Sequence, residues 1–177
     1  MRIIIGIATL LLSISSASAQ GTAPTGPCDG ELFRQFDFWV GEWDVFDQEG
    51  QQVGTNSISL EEKGCLLVER WTDVQGNTGQ SYNFVDHATG KWRQVWVNPG
   101  VVIDYEGGLD ESGAMDLQGM LTVINTEPQR YRGTWSLQDD GTVHQHLRQF
   151  DTEKGEWAAG FVGVYRKKTQ SNENGSQ

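Results

Sequence analysis

Nine clusters of turn residues cut the chain into short runs from Trp43 onward, and this spacing constrains the fold more than any other feature. They lie at 47–50, 62–64, 75–79, 87–90, 98–100, 110–113, 125–128, 139–141 and 152–155. Nearly every cluster supplies a Gly, Asn or Asp able to take the positive φ that a hairpin turn requires. Nine breaks make ten strands, and evenly spaced short strands without helical periodicity predict an antiparallel meander. A meander of that many strands closes on itself, because closure removes exposed edges. The expectation is an all-β chain, a single up-and-down barrel of about ten strands over 31–166. One short helix is predicted before it, from Glu31 to Phe38 with Asp29 as its N-cap.

Alternation with period two then sorts the faces. In Lys91-Trp-Arg-Gln-Val-Trp-Val97 the basic residues Lys91 and Arg93 belong in water, which sends Trp92, Gln94 and Trp96 inside. The same rule sends inward Leu67, Glu69 and Trp71, then Val101, Ile103 and Tyr105. It does so again for Met115, Leu117, Leu121 and Val123, and for Tyr131, Trp135 and Leu137. The last run, Trp157 to Arg166, is apolar on both faces and resists assignment.

Glu69, Gln94, Gln145 and Tyr105 thus share an interior with Trp71, Trp92, Trp96 and Trp135. A ten-strand barrel is wide enough to keep a cavity, and indole walls with a few convergent polar groups describe a small-molecule pocket. The alternative is that these side chains satisfy one another in an ordinary core. Glu69 is the sharpest residue: between aromatic surfaces, desolvation raises a carboxyl, which suits a general acid or base. It could equally pair with an inward arginine or cap a strand end. No second indoor carboxylate accompanies it, so the paired acids of a glycosidase are not visible.

His144 and His146 are spaced to share a strand face and could ligate zinc or copper. That face also carries Arg148, while Val143, Gln145 and Leu147 take the other, so both histidines are expected in solvent and no metal site is predicted. His87 falls in a turn. Neither a G-x-S-x-G elbow nor a Gly-rich phosphate loop is present.

The start of the chain, MRIIIGIATLLLSISSASAQ, reads as a secretory signal peptide over 1–19, cut after Ala19. Its apolar run is too short for a permanent anchor, and no later segment reaches the roughly 20 residues a spanning helix needs. A linking segment, 20–30, follows, and the polar tail 167–177 is expected to be disordered. The expected address is the periplasm or the exterior. There, the two cysteines outside the signal, Cys28 and Cys65, suggest one disulfide. The formal net charge of −11 repels phosphate backbones and anionic lipid, which argues against nucleic-acid and membrane-surface partners.

The stretch FDFWVGEWDV carries Gly41-x-Trp43 at the first strand and resembles the G-x-W signature of lipocalin-type (calycin) barrels. In those barrels an arginine of the final strand packs over the tryptophan, which would be Arg166 here. Together with GCLLVERW, KWRQVWVNPG, RYRGTW and VHQH, it resembles a family of exported bacterial lipocalin-like proteins of uncharacterised function, distantly similar to nitrobindin-type barrels. The resemblance covers about Cys28 to Arg166 and implies a barrel and a cavity. The nitrobindin comparison raises haem, ligated by His144 or His146. The glycine-rich run of that group is replaced here by GEWDVFDQEG, both histidines are assigned outward, and no cofactor is expected.

Three functions fit these readings. The first is a binder of a small apolar or aromatic molecule, with Trp71, Trp92, Trp96, Tyr105 and Trp135 as walls and Gln94 and Gln145 orienting it. The second is a cavity enzyme of isomerase, hydratase or cyclase type with Glu69 as catalytic acid or base. The third is a surface interaction module with a solid core.

Overall fold

The computed structural model describes residues 26–168. The expected signal peptide, residues 20–25 and the tail from 169 lie outside the described residues. Eleven strands follow one another: β1 Gly41–Phe46, β2 Gln52–Glu61, β3 Leu66–Asp73, β4 Thr78–Asp86, β5 Lys91–Asn98 and β6 Val101–Leu109. Then come β7 Met115–Val123, β8 Gln129–Leu137, β9 Val143–Asp151, β10 Glu156–Trp157 and β11 Val162–Lys167. Each of the nine predicted breaks carries a residue at positive φ, a glycine in all but one, where Asn125 takes it.

From β1 to β9 every strand pairs antiparallel with the next. β11 then pairs with β9 on one side and β1 on the other, closing a ten-stranded barrel. The run expected as one final strand is two. β10 adds only a short pairing to the far half of β9, and the chain bends at 158–161 before β11. At the bend Gly160 approaches β9 so closely that a Cβ there would sit 2.1 Å from the Leu147 carbonyl oxygen.

Outside the barrel, charged pairs bridge neighbouring strands. Arg93 grips Asp104 through two hydrogen bonds of 2.9 and 2.6 Å, and Arg132 grips Asp116 through two of 2.8 Å. Leu137, expected inside, is 55 % exposed, because it ends β8 where the chain turns out of the barrel.

The N-terminal segment forms less helix than predicted but has a clear task. One α-helical turn, α1 Glu31–Arg34, is followed by a 3-10 turn at Asp37–Trp39. Asp29 is not the cap: Gly30 holds that position, without a side-chain cap bond. The aromatic run explains the break, because Phe36 and Trp39 leave the helix to enter the barrel end and are fully buried. Their rings stack at 4.9 Å, and Phe36 meets Trp92 and Trp135 edge-on at 5.7 and 5.5 Å. The Trp92 indole N–H donates to Leu32 O at 3.0 Å and that of Trp43 to Trp39 O at 2.8 Å. Truncating a large aromatic so enclosed costs about 3–5 kcal/mol.

The basic residue over Trp43 is not the expected Arg166. The ladder sets Trp43 opposite Lys167, whose Nζ lies 5.2 Å from the indole. Arg166 falls on the outer face and lies 4.5 Å from the Phe46 ring. β11 accordingly runs into the region expected as tail.

Cys28 and Cys65 are joined by a disulfide with Cα atoms 5.1 Å apart, tying the plug segment to the start of β3. Arg34 donates to Gly64 O nearby and pairs with Asp37 at 3.4 Å. Replacing both cysteines with serine should lower the unfolding free energy by about 4 kcal/mol, the chain-entropy value for such a loop. Guanidinium unfolding measures this, and the far-UV spectrum of the barrel should persist, since no strand pairing includes the bridge.

Candidate functional site

Inward residues occupy three levels, and β5 samples all of them: Trp92 lies in the plug, Gln94 at mid-height and Trp96 toward the open end. The plug end is packed solid, with Trp39, Trp43, Trp135, Met115 and Leu117 wholly buried. Above it lies a cavity of about 330 Å³ lined by Glu69, Trp71, Gln94, Trp96, Tyr105, Gln145 and eight further residues. Trp92 and Trp135, expected in the wall, are not part of the lining. The first is bonded into the plug, and the second packs against Phe36, Trp39 and Tyr105. The other six candidates meet around one space, joined by Tyr131, Phe161 and Tyr165.

Two glycines shape the walls. An added Cβ on Gly54 would lie 2.4 Å from the Trp71 ring, and one on Gly79 would lie 2.3 Å from that of Trp96. Each indole therefore lies across the bare backbone of an adjacent strand, which leaves the cavity its width.

The floor is a belt of hydrogen bonds crossing seven strands. Tyr105 Oη donates to Gln94 Oε1 at 2.5 Å, and Gln94 Nε2 donates to Asn83 Oδ1. Asn83 Nδ2 donates to Ser81 Oγ at 2.9 Å, and Ser81 Oγ to Glu69 Oε2 at 2.6 Å. On the other side Asn56 Nδ2 donates to Glu69 Oε1 at 2.7 Å and to Tyr165 Oη at 3.3 Å. Tyr165 Oη donates in turn to Gln145 Oε1 at 2.9 Å. From Tyr105 to Ser81 every link donates toward Glu69, whose two oxygens are held by two neutral donors.

Among the described residues no basic side chain forms a salt bridge with Glu69. Burial pushes its carboxyl above the usual range, while the hydrogen bonds from Ser81 and Asn56 pull the other way. Burial also raises the phenols of Tyr105 and Tyr165 well above their ordinary value, assisted by the nearby Glu69 charge. Asn56 Oδ1 is buried without a partner. Turning that amide over would bring Oδ1 to Glu69 Oε1, so a proton carried there would also find an acceptor.

Asn56, Ser81, Asn83 and Tyr165 complete the belt and were not singled out from sequence. Asn56 shares the parity of inward Ile58, and Ser81 and Asn83 that of inward Val85, so the strand period carried a signal for all three. His144 and His146 alternate with inward Gln145 and Leu147 and so sit on the outer face. His146 is lowered by partial burial, then by Arg148 and His144. Among the described residues no cluster of three or more His, Cys, Asp or Glu is placed to hold a metal ion.

No family model matches the chain, and no curated protein matches it at a significant level. The architecture is consistent with a lipocalin-like (calycin) fold: a closed antiparallel barrel with one end plugged.

The position of Glu69 sets the sign of a pH effect. A raised acid keeps its proton in the folded chain where the unfolded chain has lost it. Its contribution is full below the ordinary value of 4.5 and is lost as pH rises through the raised folded value. Relative to Glu69→Gln, the native chain should lose stability with rising pH by up to about 1.4 kcal/mol per pH unit across that window. Urea titrations of both proteins at a series of pH values measure it, and parallel curves would contradict a raised carboxyl.

Proposed function

We propose that the protein binds a small, partly apolar or aromatic molecule inside the barrel. The observation that carries this reading is the cavity itself, with indole walls set by Gly54 and Gly79 over a hydrogen-bonded polar floor. A core that merely satisfied its own polar groups would need no such room. Here the packing is completed at one end by the plug and left incomplete at the other. Trp71 and Trp96 would flank the occupant, with Glu69, Gln94, Tyr105 and Gln145 presenting polar atoms to it. The Cys28–Cys65 bridge supports work in an oxidising compartment, in keeping with the export signal read in the sequence at 1–19 and the resemblance to exported lipocalin-like proteins.

Native mass spectrometry of the exported protein, compared with its denatured spectrum and an absorption scan, tests the reading. A mass excess that vanishes on denaturation is expected. Trp96→Ala should weaken retention about tenfold or more, since a stacked aromatic contact and its buried area are lost together. Undiminished retention in that variant would remove the cavity from the account.

One observation favours a second reading. The raised, buried carboxyl of Glu69 at the end of a directed donor chain suits a general acid or base acting on the occupant. Glu69→Gln separates the two: turnover would fall by about a hundredfold or more, whereas a binder would keep an occupant and change only its affinity.

A further inference from the structure

The walls and floor of the cavity share one electrostatic character. Among the described residues fourteen line the cavity; none of these is Lys, Arg or His, and six are aromatic: Trp71, Trp96, Tyr105, Tyr131, Phe161 and Tyr165. Aromatic faces carry negative potential. At the floor, Tyr105 and Tyr165 spend their hydroxyl hydrogens on Gln94 and Gln145, so both phenols are left as acceptors, Tyr165 with one bond already taken from Asn56. Glu69 accepts one side-chain bond on each oxygen, and a carboxylate has about four lone-pair sites. The fold thus builds a carboxyl into an acceptor-rich aromatic chamber, and no described residue supplies a countercharge.

We propose that the occupant is an organic cation: a protonated or alkylated amine on an apolar or aromatic body, with its nitrogen against Glu69 and its body between Trp71 and Trp96. This rests on the binding reading above and names the ligand class for the same site. An ammonium gives the carboxylate the partner that a buried charge requires, and it lies well over ring faces. An anionic occupant, such as a fatty acid, meets a carboxylate and no basic group. A neutral occupant can fill the volume but gives the carboxyl no partner that would favour its ionised form. The net charge of −11 also favours approach by cations over anions.

The test uses three probes of one shape: 3-phenylpropylamine, 3-phenylpropan-1-ol and 3-phenylpropanoate, titrated calorimetrically into the full mature chain at neutral pH. The amine is expected to bind at least about tenfold more tightly than the alcohol, with the acid weakest. In Glu69→Gln the amine should fall to the level of the alcohol, and a native-like far-UV spectrum and unfolding transition show that the variant is folded. Equal affinity for amine and alcohol in the native chain would overturn the cation and leave the cavity reading standing. So would an amine preference that survives Glu69→Gln, since Glu69 would then not be the counter-ion. Absence of binding by all three probes at millimolar concentration would remove both readings.

Discussion

Everything in this molecule follows from the pairing of β11 with β1 on one side and β9 on the other. That double pairing turns a meander into a closed wall and leaves no long edge. It also fixes the circumference at ten strands, which encloses more room than inward side chains of ordinary size can fill. A closed wall of this width must resolve its interior in some way. The chain does so differently at the two ends.

At one end the solution is added material. The segment before β1 breaks its helix after a single turn and drives Phe36 and Trp39 into the opening, where they meet Trp92 and Trp135. The disulfide and Arg34 hold that segment to the start of β3. At the other end the indoles of Trp71 and Trp96 are laid flat across glycines, which keeps space open. Between the two lies the belt. A buried polar group left unpaired costs about 1–3 kcal/mol, so the polar residues at mid-height are linked into one network. That network keeps its single carboxyl supplied with neutral donors only.

Much of this was legible in the sequence, and the part that was not has a physical cause. Turn chemistry is local, so the nine breaks can be read without knowing what packs where. Face is nearly local too: Lys91 and Arg93 fix the parity of β5, and Glu69 follows from its neighbours in β3. Height within the barrel is not local. Trp92 and Trp96 have the same parity and the same chemistry, and only the register and stagger of all ten strands put one in the plug and the other at the wall. The same ambiguity misplaced Trp135. Tyr165 stayed hidden because its strand is apolar on both faces. Asn56 stayed hidden because the equally polar Thr55 and Ser57 flank it, and Ser81 and Asn83 because the large apolar rings of that strand, Tyr82 and Phe84, lie on its other face. The basic residue over Trp43 was shifted by one position, since a one-residue change of register exchanges inside for outside.

The closing pair has a further consequence for how the chain reaches this state. Trp43 and Lys167 are ladder partners although they lie near opposite ends of the described chain, and contacts between such distant residues form slowly because loop closure must come first. Until Val162–Lys167 arrives, β1 and the first half of β9 are both unpaired edges, open to any other extended chain. The loop closed by the bridge between Cys28 and Cys65 holds the plug segment and no strands but β1 and β2, so it can form before the barrel closes and hold the waiting edge in a compact loop. The last strand to be made is therefore the one that ends the chain's exposure to its neighbours.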